Sequence, residues 1–219
     1  HRVAGTPGLQ PLSEQGRLDD AEQVMREAGI EHGPGGPTVL RWIPWGRAIL
    51  HEARGDIDAV RVDIAPLEED DRAGRSMKAL SWRALLARTL SRSGHSAEAE
   101  GLANEHLVWA EWWGRPGALG IARRARALAG PDENRVEGLE EAVETLASSS
   151  LAAEHARALK DLGVSRLRSG RKAEGKATLN IAVEAAVACG ARGTANAANA
   201  ELEVAGAAPD RKSTRLNSS

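Results

Sequence analysis

The spacing of glycine constrains this chain more than any other feature. Gly16, Gly55, Gly94, Gly130 and Gly170 follow one another at intervals of 39, 39, 36 and 40 residues. Glycine readily adopts the left-handed backbone that ends a helix and starts a tight turn, so a ladder of this period reads as a series of helix pairs. A second register points the same way. Gly94, Gly114 and Gly130 recur 76 residues later as Gly170, Gly190 and Gly206, two repeats of about 38. The turns match in sequence as well: Arg92, Ser93 and Gly94 precede Ala97 and Glu98, and Arg168, Ser169 and Gly170 precede Ala173 and Glu174.

Between the glycines, apolar residues keep a helical period. Leu18, Ala21, Met25 and Ala28 form one such stripe. Others are Ala118, Ile121, Ala122, Ala125 and Leu128; Val136, Leu139, Val143 and Leu146; and Leu179, Ala182, Val183 and Ala186. One helix pair cannot bury its stripe alone, so neighbouring pairs are expected to stack on a continuous core. With no Phe or Tyr and an apolar fraction dominated by Ala and Leu, strand formers are scarce. The expected fold is all-α: a tetratricopeptide-like solenoid of antiparallel helix pairs with repeats of about 38 residues.

The array is expected to span residues 1–209, with a partial first repeat, a loop at 30–43, an irregular repeat at 44–74 and regular repeats over 75–207. The stretch Gly33 to Pro37 (GPGGP) reads as loop, and Pro44 suits the first turn of a helix. Ile57, Val60, Ile64 and Leu67 have helical spacing, yet Pro66 is expected to kink or break that helix. Residues 210–219 (DRKSTRLNSS) resemble a translated sequencing adapter and are set aside as an artefactual disordered tail. On this reading the chain is the middle of a longer protein, its first pair missing a leading helix before His1.

The formal net charge is -2, and -4 without the tail, where 26 basic residues face 30 acidic ones. That balance argues against a chain that grips a nucleic-acid backbone by itself, and on composition alone implies no charged partner. The single cysteine, Cys189, cannot form an internal disulfide, and no signal peptide or long apolar run is present, so a cytoplasmic location without membrane contact is expected.

Candidate chemistry reduces to a few features. From Gly170 to Ala177 the chain reads GRKAEGKA, the phosphate-cradling loop except for its last position, where Ala177 lacks the hydroxyl that holds magnesium. A turn between paired helices explains it better. His106 shares a helix face with Leu102, Trp109 and Trp113 and is expected to be a hydrogen-bonded core histidine; no metal-ligand spacing or catalytic constellation stands out. Cys189 is expected to be a buried free thiol. Of Trp42, Trp45, Trp82, Trp109, Trp112 and Trp113, most are expected to pack between repeats, with at least one of the last three near the surface. Arg123, Arg124 and Arg126 are expected on a solvated face. No catalytic, cofactor-binding or metal residue is assigned, and no cofactor is expected.

Several stretches carry a family likeness: Ser81 to Ala87, Glu105 to Ala110, Trp113 to Pro116 with Ala118 to Gly120, Glu154 to Gly163, Leu167 to Glu174, Cys189 to Ala191 and Glu201 to Ala207. Together, from Leu80 to Ala207, they resemble the repeat arm of large LuxR-family transcriptional regulators, which join a STAND ATPase, tetratricopeptide-like repeats and a C-terminal helix-turn-helix. Gly175 and Lys176 replace the Ala-Arg usual after the Ala-Glu pair, and Pro66 departs from the smooth helix expected there. The resemblance implies an arm for protein–protein interaction and signal sensing, with the ATPase and DNA-binding domains missing. It also implies a protein partner, an intramolecular partner in those domains or a small-molecule inducer, with DNA reached only through the missing helix-turn-helix. By analogy the first helix of each pair lines the binding side, which puts Trp82 or Arg83 against the partner. A generic helical scaffold, or the arm of a signalling enzyme such as a nucleotide cyclase, is the alternative.

Overall fold

The computed structural model describes residues 18–28, 42–73 and 81–207. Gly16, the Gly33–Pro37 loop and the 210–219 tail lie outside the described residues, as do the side chains of Leu18, Ala28 and Trp42. Among the described residues the chain is all-helical: α1 (Leu18–Ala28), α2 (Trp42–Arg54), α3 (Ile57–Arg72), α4 (Trp82–Arg92), α5 (Ser96–Trp113), α6 (Pro116–Ala129), α7 (Asp132–Ala147), α8 (Ala152–Arg168), α9 (Lys172–Ala188) and α10 (Arg192–Ala207). None is long and apolar enough to cross a membrane.

The helices pack in sequence-adjacent pairs, α2 with α3, α4 with α5, α6 with α7 and α8 with α9, and the first helices also approach one another, α2 to α4, α4 to α6 and α8 to α10. Glycine sets the turns where φ is positive, at Gly55, Gly94, Gly114, Gly170 and Gly190. At four of these the residue after the glycine donates its N–H five residues back, as His95 does to the Leu90 carbonyl at 3.0 Å and Arg171 to Arg166 at 2.8 Å. Gly130 departs from the ladder, with φ -80 and ψ -177. The next residue, Pro131, has no N–H to close that turn, so the chain leaves α6 extended. Gly206 lies inside α10 and makes no turn.

The periodic stripes are the buried faces. Val60, Ile64 and Leu67 of α3 join Leu85, Leu86 and Leu90 of α4 in a cluster that continues through Ala125 and Ala129 of α6. The core is then divided into successive clusters; Val143 of α7 packs against two of them, one centred on Leu139 and Leu162, the other on Leu159 and Leu179. Pro66 does not break α3, which runs through it to Arg72. The carbonyl left without its donor belongs to Val62, whose side chain is 71% exposed, so the gap falls on the side open to water.

Close packing depends on glycines inside helices. A Cβ on Gly163 of α8 would stand 2.7 Å from Leu179 of α9, and one on Gly175 of α9 would stand 2.8 Å from the side chain of Leu167 and 2.9 Å from its backbone nitrogen on α8. The same device joins α6 to α7, where a Cβ on Gly120 would run into the side chain of Leu146. Gly101 of α5, by contrast, faces open space. Gly175→Ala is therefore expected to cost about 1–3 kcal/mol by overpacking, less any helix-propensity gain, whereas Gly101→Ala should stabilise by about 0.5–1 kcal/mol. Urea midpoints followed by circular dichroism check both; two shifts of the same sign would contradict the assignment.

Candidate functional site

Trp82 and Arg83 open α4, and they have different surroundings. Trp82 is 6% exposed and belongs to the core cluster, while the Arg83 guanidinium lies 4.3 Å from the centroid of its ring. Arg83 also pairs with Asp71 of α3 and, at 3.4 Å, with Glu105 of α5. Of the two, only Arg83 offers a polar surface, and that surface already holds three helices together.

A row of charges crosses the first helices and was not singled out from sequence. Glu52 of α2 accepts both nitrogens of a forked bond from Arg88 of α4, at 3.1 and 3.2 Å, and its backbone carbonyl accepts from Arg92 at 2.8 Å. Farther along, Arg124 of α6 donates to Asp161 at 2.7 Å and to Glu154 at 3.1 Å, both on α8. Arg157 and Lys160 complete the row by pairing with Glu154 and Asp161 on their own helix. One signal was available in the sequence: Glu52, Arg88 and Arg124 are charges set in apolar helix runs at successive intervals of 36 residues.

This corrects the solvated face expected for the arginine cluster. Arg124 is buried, Arg123 turns to donate to Thr145 of α7 at 2.6 Å, and only Arg126 is exposed. Burial works against the charge of Arg124, but Asp161 and Glu154 more than offset it and its pKa is raised. Burial likewise opposes ionisation of Asp161, yet Arg124 and Lys160 hold its carboxyl well below the usual carboxylate range. Arg88 behaves differently. Burial lowers its pKa and Glu52 only partly compensates, because Arg124 and Arg157 add positive charge nearby.

On α5, His106 stacks on Trp109 with ring centroids 5.6 Å apart, and Trp109 contacts Trp113 at 4.9 Å. The expected hydrogen-bonded histidine is not found: His106 Nε2 and Trp109 Nε1 are both buried without a partner. Burial, followed by the charges of Arg83 and Arg88, pushes the His106 pKa down to about 4. Trp112, at 79% exposure, and Trp113 reach solvent, as the spacing of the three tryptophans requires. Cys189 is exposed and not buried, because it leaves the helical stripe as the cap residue of α9. The GRKAEGKA segment is a turn followed by the start of α9, with Gly175 occupied by Leu167 packing. No group of three metal-ligating side chains occurs among the described residues.

No protein-family model, curated protein or solved structure matches this chain.

Two measurements follow from the geometry. Arg124→Ala strands Asp161 without its main cation and leaves Glu154 paired to Arg157, and should cost about 3–5 kcal/mol in urea unfolding, part of it recovered when both carboxylates are also replaced by Leu. An undiminished midpoint for the single variant would contradict the network. His106 binds a proton near pH 6.5 when unfolded and only near pH 4 when folded. Its neutral form thus stabilises the fold fully above pH 6.5, and up to roughly 3 kcal/mol is lost as pH falls through 4. His106→Phe should flatten the stability profile across that window; an unchanged slope would refute the assignment.

Proposed function

We propose that this chain is the tetratricopeptide-like repeat arm of a LuxR-family transcriptional regulator and that it works by contact, not catalysis. The observation that carries the reading is the double packing of the first helices, each against its own partner and, along most of the array, against the next first helix. Helix pairs joined in that way can be extended one after another, which gives a long surface for recognition. The stretches between Leu80 and Ala207 that resemble the regulator arms support the more specific assignment.

In this reading a protein partner or small inducer binds the array and alters its packing against an ATPase domain. A helix-turn-helix elsewhere in the protein is then freed for DNA. The purified chain is expected to bind neither ATP nor operator DNA, and micromolar ATP binding by titration calorimetry would overturn that. Gene sequence on either side of this region provides the decisive test. A nucleotide-binding loop upstream and a helix-turn-helix downstream support the regulator; a cyclase or no further domain supports the alternative of a signalling-enzyme arm or scaffold.

A further inference from the structure

The near-neutral total hides a separation of charge. Helices α4, α6 and α8 carry ten Arg or Lys against two carboxylates, Glu154 and Asp161, a balance of +8. Their partners α5, α7 and α9 carry twelve Asp or Glu against three cations, Arg135, Lys172 and Lys176, a balance of -9. Some of this charge is neutralised between helices, within a pair by Arg83 with Glu105 and across neighbouring pairs by Arg166 of α8 with Glu140 of α7. What remains on the row along the first helices is Arg88, Arg92, Arg124, Arg157 and Lys160 against Glu52, Glu154 and Asp161. Among the described residues, five cations thus lie along the row beside three carboxylates. Arg92 shows the deficit most plainly: it is 56% exposed and reaches the Glu52 carboxylate only at 4.0 Å.

We propose that the accessible rim of this row, which includes Arg92 and Lys160, is the docking surface for an extended acidic segment of a protein partner. The carboxylates already in the row indicate the chemistry, since Glu52 receives a forked bond from Arg88 and guanidinium groups match carboxylates in that geometry. Nucleic acid is the less suitable occupant. Stacking of bases needs exposed aromatic rings beside the cations, but Trp82 is buried and the exposed Trp112 belongs to the acidic α5. Closely packed helices lie about 8–10 Å apart and a polyproline II chain advances about 3.1 Å per residue with three residues per turn, so an acidic side chain at every third position keeps to one face and in step with neighbours such as α4 and α6. The net charge conceals such a surface because the acidic second helices cancel it in the sum.

The inference rests on the contact-arm reading and not on the regulator assignment: a gene without a helix-turn-helix would remove the regulator and leave this binding intact. The test uses the full chain and a fluorescein-labelled peptide of repeated Glu-Ser-Ser triplets, read by anisotropy at low salt. A Lys-Ser-Ser peptide and single-stranded oligothymidylate serve as comparisons. Arg88 and Arg124 are embedded in the fold, so the variant of choice is the rim double substitution Arg92→Ala with Lys160→Ala, its folding checked by circular dichroism. The acidic peptide should bind, weaken with added salt and lose about tenfold in affinity for the double variant, whereas Trp112→Ala should leave it unchanged. Absence of binding, equal binding of the Lys-Ser-Ser peptide, unchanged affinity of the rim variant, or tighter binding of oligothymidylate would each overturn the proposal.

Discussion

An alanine core holds helices together only if their backbones come close, because each methyl removes little surface from water and dispersion forces fade within a fraction of an ångström of contact. Twenty of the 35 buried apolar side chains in the described residues are Ala. The glycines at 120, 163 and 175 meet that requirement in reverse: they remove even the methyl, so that Leu146, Leu179 and Leu167 can enter the facing helix. The remaining elements follow from this closeness. Short turns keep the partners in register, and the left-handed glycines make the turns short.

Much of this was legible in the sequence, because turn chemistry and helical periodicity are local. The positive φ values at Gly55, Gly94 and Gly170 lie where the ladder puts them, and the stripes of α3, α6, α7 and α9 face inward. Gly130 defeats the ladder through its neighbour, since Pro131 cannot donate the bond that a left-handed turn returns to the helix. The candidate site was harder to read for the opposite reason. Whether Arg124 faces water or Asp161 depends on a helix 37 residues away, which neither the sequence of α6 nor its charge pattern specifies. Pro66 and Cys189 also depend on surroundings: one is tolerated where the preceding turn of α3, at Val62, is open to water, the other exposed because it has left the helix.

Charge does in this chain what aromatic bulk does in others. With no Phe or Tyr and most Trp rings at the edge of the core or outside it, long side chains must span the places that Ala cannot fill. Arginine suits that task, since its stem packs against apolar neighbours while its planar head meets two carboxylates at once. Putting the cations on the first helices and the carboxylates on the second also attracts helices that adjoin in sequence, within a pair as Arg83 with Glu105 and between pairs as Arg166 with Glu140.

The seam between α6 and α8 shows how the two means divide the work. First helices approach closely from α4 to α6 and from α8 to α10, but α6 and α8 are not among the closely packed pairs. At that seam Arg124 crosses the gap, with Asp161 and Glu154 as its targets. A methyl-lined seam loses its attraction as soon as it opens, whereas a charged bridge keeps acting over several ångströms and weakens gradually. The bridge also specifies where along α8 the array continues, because only one register presents both carboxylates to one guanidinium. Removing charge there would therefore change the joining of neighbouring pairs before it changed the pairs themselves.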